Sequence, residues 1–551
     1  MVFGVKSLNK TPNGLMEKLE TDAIIIGGGA TGTGIVRDLS LRGIKSILIE
    51  KDDIASGTTG RSHGLLHSGA RYAVKDVESA VECIDENRIL KKIASHCIED
   101  TGGLFITLPD DDPSYHDRLL DGCAFAGIKA REISKKEALS LEEGLNPALL
   151  SAIMVPDGTI DPFRLSSSNM LDAAENGARI FTHTLVTGFI VRGGSVAGVN
   201  CTNREDGDFS IYGKVVINSS GIWAQEICRL AGIDLKMSPS KGSMMIIDYR
   251  INKIVINRCR PPADGDIIVP GDTVSIVGTT SRSVDYKMIG SLAVDDDEID
   301  ILFRDGAKLL PAIARSRSLR AYSGVRPLLS VTGTTGGRDL TRGIILIDHE
   351  ERDSLKGFIS VVGGKLMTYR LMAEKASDLA CRKLGVNKKC ITASRPLPGS
   401  GRSTPLREIR KIFPAISRPV IGSTMYRHGA RVSRILKNDK KNYRLICECE
   451  MVTEGEVDYA LHNLNVKNIV DLRRRTRIGM GPCQGELCSY RCAGLMNELG
   501  FSGPDESLAL LTEFLEERWK GVKPVLWGDG LRESELSYWI YQGLFGLGDV
   551  K

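Results

Sequence analysis

Cys447 and Cys449 are separated by one residue, Cys483 and Cys488 by four, and thirty-three residues lie between the two pairs. Four thiolates so spaced suit an iron–sulfur cluster, which passes electrons singly. Zinc is the rival, but its structural sites favour two or more residues between paired cysteines, and Cys447-x-Cys449 is tighter than that. Gly479, Gly481 and Gly485 would let backbone N–H groups turn toward cluster sulfurs. Cys492 is a spare thiol nearby, and the eight cysteines before residue 400 read as core residues.

A second redox signature stands at the other end of the chain. Asp22–Ala23–Ile24–Ile25–Ile26 runs into Gly27, Gly29 and Gly32. Gly27 permits a tight turn, Gly29 lets backbone approach a pyrophosphate, and Gly32 allows close helix–strand packing. The phosphates would sit on the following helix N-terminus, where free N–H groups and the dipole favour anions. Glu50, eighteen residues after Gly32, is placed to accept hydrogen bonds from a ribose. Flavin and nicotinamide both use such a turn. Gly221, in Asn218–Ser219–Ser220–Gly221, and Gly364, in Val361–Val362–Gly363–Gly364–Lys365, end strands in small residues, as if backbone approached a long cofactor. Three such places favour FAD. A protein holding FAD and a cluster is suited to moving electrons from a metabolite into a chain of carriers.

Gly57–Tyr72 carries the groups for chemistry beside that cofactor. Glycines and small hydroxyls there, among them Thr58, Ser62 and Gly64, can wrap a flavin ring. His63 and His67 are four apart, as are His67 and Arg71, so a helix would bring each pair onto one face. The two histidines lack an evident third metal ligand, and a histidine here is ordinarily structural. Its position beside the flavin makes His67 the candidate base. Arg326, fixed in direction by Pro327, offers a bidentate fork for phosphate or carboxylate. Arg71, Arg326 and Lys365 together suggest a small anionic substrate, against the ordinary reading of three surface or ion-paired cations. Arg473–Arg477 is a basic run best read as a solvated helix face, with docking of an acidic partner or offsetting of the negative cluster as the alternatives.

These residues must be positioned by a chain of 551 residues, long enough for several domains. It is 42% hydrophobic and 26% charged with net charge +4, which gives no sign of nucleic-acid binding. There is no apolar run long enough for a transmembrane helix, and the first twenty residues lack a signal-peptide core, so a cytosolic location is expected. Residues 1–20 read as an N-terminal extension and 21–394 as a discontinuous α/β nucleotide-binding domain. Strands are expected at Ile180–Val191, Val215–Asn218, Ile344–Ile347 and Phe358–Val362, with a helix over Met367–Leu384. Within this domain, residues 236–325 read as an inserted sheet. Residues 395–444 read as a linker and helical connector, 445–500 as the cluster module, and 501–551 as a tail with a helix at Leu508–Trp519 and an aromatic end at Tyr538–Tyr541.

With these residues in view, the chain resembles the family of large catalytic subunits of bacterial anaerobic glycerol-3-phosphate dehydrogenases. The likeness runs through Ala23–Gly34, Ser62–Tyr72, Asn257–Pro261, Ala321–Pro327, Gly363–Arg370 and Cys447–Arg491. The cluster region resembles the BFD-like [2Fe–2S] domain, in which Cys447, Cys449, Cys483 and Cys488 would bind iron. The resemblance implies an α/β protein: a D-amino-acid-oxidase-like FAD-binding Rossmann domain with an inserted substrate-binding β-sheet domain, plus a small C-terminal helical [2Fe–2S] domain. It implies quinone-linked oxidation of sn-glycerol 3-phosphate to dihydroxyacetone phosphate. It also implies two partners, a second flavoprotein subunit together with a membrane-associated iron–sulfur subunit, which would hold the protein on the cytoplasmic face of the inner membrane. By the same resemblance Arg71, Tyr72, Arg326 and Lys365 line the substrate pocket, and Leu66 and Leu366 join the flavin contacts. The respiratory branch has a histidine after Lys-Gly-Ser; this chain has Met244 after Lys241–Gly242–Ser243. Other readings are an amino- or imino-acid dehydrogenase of the same fold, and a non-catalytic electron-transfer protein.

Overall fold

Ala23–Ile26 is apolar at all four positions because it lies inside a sheet covered on both faces. In the computed structural model, which describes residues 19–330, 343–401, 404–437, 440–544 and 546–547, this strand pairs in parallel with Ser46–Ile49 and Val215–Asn218. Arg179–Phe181 and Phe358–Gly363 extend the parallel array, and Ile344–Asp348 closes one edge antiparallel. Alternation along the strand divides the core. Ile24 and Ile26 pack beneath an antiparallel layer of Thr184–Arg192, Ser195–Asn203 and Gly207–Tyr212. Ala23 and Ile25 face the helices Ala30–Leu41, Pro162–Glu175 and Tyr369–Leu384. Leu19–Glu20, within the expected N-terminal extension, pairs in parallel with Ile211–Tyr212.

The strand expected over Ile180–Val191 is two. Arg179–Phe181 belongs to the parallel sheet and Thr184–Arg192 to the antiparallel layer, with the break at His183, whose φ is 51°. Of residues 236–325, Met237–Ser283 and the strand from Ser318 supply strands of one sheet, but Asp296–Leu309 between them is a helix. The sheet extends to Leu329 and recruits Gly103–Thr107, Arg131–Ile133 and Ser151–Val155. The joint is a parallel pairing of Val255–Arg258 with Gly103–Ile106. Such long-range pairing leaves no local mark on the sequence.

Leu445–Cys447 and Val452–Thr453 form a short hairpin, followed by helices Glu454–Asn463, Ile469–Thr476 and Cys488–Glu498. The tail helix, Pro504–Val522, sends Leu511, Phe514 and Leu515 into this module's core, and Tyr541 follows. Part of the expected linker is also buried: the Leu397 N–H donates to Ile93 O, and Ser400 Oγ lies 2.6 Å from His96 Nδ1. No helix among the described residues is long and apolar enough to cross a membrane.

The basic run Arg473–Arg477 is not a solvated face. Arg475 is fully buried and meets Asp53 at 2.5 Å, Arg474 meets the same carboxylate at 3.0 Å, and Arg477 meets Glu450 at 3.1 Å. Asp53 and Asp161 belong to the nucleotide domain, and Arg477 also lies 3.6 Å from Asp161. The arginines therefore fasten the cluster module to the nucleotide domain.

Candidate active site and cluster centre

The glycine turn is built for a close-lying ligand. Gly27 has φ +109°, and a Cβ there would stand 2.7 Å from Ser219 O. A Cβ on Gly32 would stand 1.8 Å from Gly27 O. Gly29 caps helix Ala30–Leu41 without a side chain, and the first turn holds no acid. Glu50 ends the next strand; its Oε2 accepts the Gly28 N–H at 2.6 Å and its Oε1 the Asp52 N–H at 2.9 Å. Burial pushes its carboxyl above the usual range, and these two N–H groups pull the other way. Gly221 has φ +61° and Gly364 φ +71°, backbone conformations that side chains rarely adopt. These residues fit FAD.

Beyond the turn lies a cavity of about 760 Å³, bordered by Thr58, Ser62, His67, Arg71, Tyr72 and Arg326 among others. No helix assembles it. Thr58–Arg61 and Ala70–Tyr72 are single 3₁₀ turns flanking a two-residue strand, Leu65–Leu66, held by Gly158–Thr159. The loop folds His67 against His63, with ring centroids 5.9 Å apart, and against Tyr72 at 5.6 Å. His63, which also borders the cavity, accepts the Leu65 N–H on Nδ1 at 3.1 Å, so a neutral ring carries its proton on Nε2.

Arg71 Nη2 pairs with Asp266 at 3.1 Å, while its buried Nη1 has no partner among the described residues. Asp266 is shared with Arg260 at 2.7 Å, leaving two guanidiniums on one carboxylate. Arg326 is locked in place. Its Nη2 donates to Thr279 Oγ1 at 2.8 Å and Thr280 O at 3.0 Å, and its Nη1 to Ser240 Oγ and Lys241 O at 3.2 Å. A Cβ on Gly242 would lie 2.6 Å from the guanidinium. Lys365 stands behind Tyr72: its Nζ is 4.6 Å from the ring centroid and donates to Ser79 Oγ at 3.0 Å. Gly64 borders a different cavity, and the Leu66 side chain is buried in an apolar cluster with Met367 and partly buried Leu366. Met244 borders the 760 Å³ cavity and has no proton to exchange, whereas Lys241 is drawn onto Glu298 at 2.7 Å and Asp295 at 2.8 Å.

Asp157 and Asp266 escape sequence reasoning. Asp157 accepts the Ser68 N–H at 2.6 Å and Asn257 Nδ2 at 3.3 Å, fixing the His67–Arg71 loop from beneath. Burial raises its carboxyl, and the hydrogen bond from Ser68 works against that. Asn257 falls in one of the family-like segments, the one signal that could have led to Asp157.

The four cysteines converge as a chain of contacts: Cys488 with Cys447, Cys447 with Cys449, and Cys449 with Cys483. The contact with Cys449 favours the Cys447 thiolate, but the contact with Cys488 and burial outweigh it and push the thiol up to about 12. Backbone N–H groups point at the sulfurs: Glu450 toward Cys447, Cys483 toward Cys449, and Leu487 and Gly485 toward Cys483. A Cβ on Gly481 would strike Cys449 Cβ at 2.6 Å. No three His, Cys, Asp or Glu side chains among the described residues form a ready single-ion site. The four thiols and the amide donors around them are the ligand chemistry of an iron–sulfur cluster.

Residues 22–370 match the family model described as FAD dependent oxidoreductase, and residues 445–498 match the BFD-like [2Fe-2S] binding domain. Fold and sites thus define an FAD-dependent oxidoreductase that carries its own [2Fe–2S] domain. The chain is 52% identical over 541 residues to the A-subunit of anaerobic glycerol-3-phosphate dehydrogenase from Haemophilus influenzae, covering 98% of this chain and 95% of that protein. It is 54% identical over 528 residues to the Escherichia coli protein of the same name, covering 96% and 97%. The chain belongs to the family of anaerobic glycerol-3-phosphate dehydrogenase A-subunits. A glycerol-3-phosphate dehydrogenase from Bacillus halodurans, solved with FAD, shares the fold with a TM-score of 0.70 at 22% identity, covering 92% of this chain and 96% of that one.

Proposed function

We propose that the protein oxidises sn-glycerol 3-phosphate to dihydroxyacetone phosphate and delivers the electrons, by way of its cluster, to partner subunits and quinone. The observation that carries this reading is the cavity that joins Arg71, with an unspent buried N–H, and the immobilised Arg326 to the His63–His67 pair. When bound, FAD supplies a two-electron acceptor and the [2Fe–2S] cluster a one-electron outlet. Gly27, Gly29, Gly32, Glu50, Gly221 and Gly364 would hold the dinucleotide. Thr58, Ser62 and Lys365 would flank the ring, with Leu66 and Leu366 in the apolar packing behind it, and Cys447, Cys449, Cys483 and Cys488 would bind the irons.

Arg71 holds the phosphate through its unspent Nη1, and the fixed Arg326 guanidinium adds its positive charge beside it. Anchoring the phosphate fixes the orientation of C2 and its hydroxyl. His67 accepts the hydroxyl proton, His63 offers its Nε2–H to the developing oxygen, and Tyr72, braced by Lys365, sets the face of the His67 ring.

The C-terminal tail is the surface we assign to two partners, a second flavoprotein subunit together with a membrane-associated iron–sulfur subunit. Trp527, Leu531, Leu536 and Trp539 are exposed there, and the segment is tied to the sheet domain by an ion pair between Glu533 and Arg317. Through those subunits the protein would sit peripherally on the cytoplasmic face of the inner membrane. An anaerobic absorbance titration of the FAD- and cluster-loaded protein with sn-glycerol 3-phosphate tests the reaction. Bleaching of the flavin band supports it. An unbleached band, or bleaching by an amino acid in its place, overturns it.

A further inference from the structure

A second cavity, of about 960 Å³, opens where the Arg61–Gly64 segment, the strand Ser318–Leu329 and the C-terminal module meet. One strand serves both cavities: Arg320, Ala321, Tyr322 and Ser323 border this one, and Gly324, Val325 and Arg326 border the 760 Å³ cavity. At about 3.3 Å per residue Arg320 stands roughly 20 Å from Arg326 along it. The cavity lies toward the cluster, because Arg320 Nη1 reaches Gln484 Oε1, beside Cys483, at 3.4 Å. Gly27, Gly29, Glu50 and Gly364 do not border it, whereas Arg61, Ser62 and His63 form a wall shared with the 760 Å³ cavity.

Its charge is left unbalanced. Arg320 is 6% exposed, and its Nε, like the buried Nε of Arg473, has no hydrogen-bond partner among the described residues. Burial disfavours the charge on both; Arg518 and Arg61 repel Arg320, and Arg320 repels Arg473. Glu517 is the carboxylate that favours both charges, and Lys520 competes for it at 3.6 Å. The neighbouring Arg164, Arg474 and Arg477 are spent on Asp161, Asp53 and Glu450. Buried guanidinium N–H groups without acceptors are costly, and a ligand with several anionic oxygens would satisfy them. Phe163, Tyr322, Tyr426 and Trp519 add aromatic wall to the lining.

We propose that this cavity binds a phosphate-bearing ligand of mononucleotide size. Arg320, Arg473 and Arg61 hold its phosphate, and the aromatic side chains receive its base.

The test is calorimetric titration of the full FAD- and cluster-loaded chain with AMP, adenosine and inorganic phosphate, without glycerol 3-phosphate. AMP is expected to bind saturably, with adenosine and phosphate each weaker by about tenfold or more, since the guanidinium–phosphate contacts and the base both contribute. Arg473→Gln should weaken AMP by a similar factor. Where that variant fails to load its cofactors, Arg61→Gln, at an exposed position, takes its place with the same expectation. Absence of AMP binding, adenosine binding as tightly as AMP, or unchanged affinity in the loaded variant overturns the proposal. Because no substrate is added, these outcomes are independent of whether glycerol 3-phosphate reduces the flavin.

Discussion

Replacing Asp53 with asparagine severs the main electrostatic fastening between cluster module and nucleotide domain. Its buried carboxylate receives Arg475 Nη2 at 2.5 Å, Arg475 Nη1 at 3.0 Å and Arg474 Nη1 at 3.0 Å. Asparagine keeps the volume and removes the charge. Arg475, with none of its side chain exposed, then retains the Leu464 carbonyl at 3.0 Å and loses its counter-ion. Removing one member of a buried pair costs about 3–5 kcal/mol, or a factor of roughly 10² to 10⁴ between docked and released module at ~1.4 kcal/mol per decade. Chemical denaturation should be followed by two signals, cluster absorbance for the C-terminal module and flavin fluorescence for the nucleotide domain. In Asp53→Asn the cluster signal should be lost at lower denaturant, ahead of the flavin signal. Adding Arg475→Met to Asp53→Leu should recover part of the loss, because apolar replacement of a buried pair is often close to neutral, while Arg474 keeps only Asp471, at 3.5 Å, among the described residues. A destabilisation under about 1 kcal/mol, below the 3–5 expected for a broken buried pair, or a double variant no better than the single, would refute the argument. The pH dependence has a definite sign. Burial alone would raise the Asp53 carboxyl, but Arg475 and Arg474 hold it below the ordinary carboxylate range. Its contribution is therefore present above about pH 4, the unfolded value, and is lost as pH falls through the depressed native value. The acid limb should flatten in the variant.

Other outcomes follow from single contacts. Gly32→Ala places a carbon 1.8 Å from Gly27 O, so the turn must open, and the protein should purify without flavin; normal FAD content would contradict the role given to that turn. Cys483→Ser should abolish the visible absorbance of the cluster, and full retention of iron would remove Cys483 from the ligand set. Arg71→Gln should raise KM for sn-glycerol 3-phosphate about 10- to 100-fold, the effect of losing one charged hydrogen bond of 1.5–3 kcal/mol. FAD should stay bound, and an unchanged KM would count against phosphate anchoring.

The glycine turn, the strand that ends at Glu50 and the cysteine pairs were legible because each is set by local backbone geometry and short spacing. The parallel strands were legible because burial on both faces makes them uniformly apolar. Other features depend on partners far away in sequence. The His63–His67 contact arises from two tight turns pinned by Asp157, not from helical spacing. Arg473–Arg477 reads as a surface run in isolation because Asp53, which neutralises two of its members, lies more than four hundred residues earlier. Sequence alone thus determined which residue types could hold a dinucleotide, a cluster and an anion. Only the tertiary structure decided which cations keep unspent donors facing a cavity and which are consumed holding domains together. Charge is a property of the residue, but its availability is set by whichever carboxylates the fold packs against it.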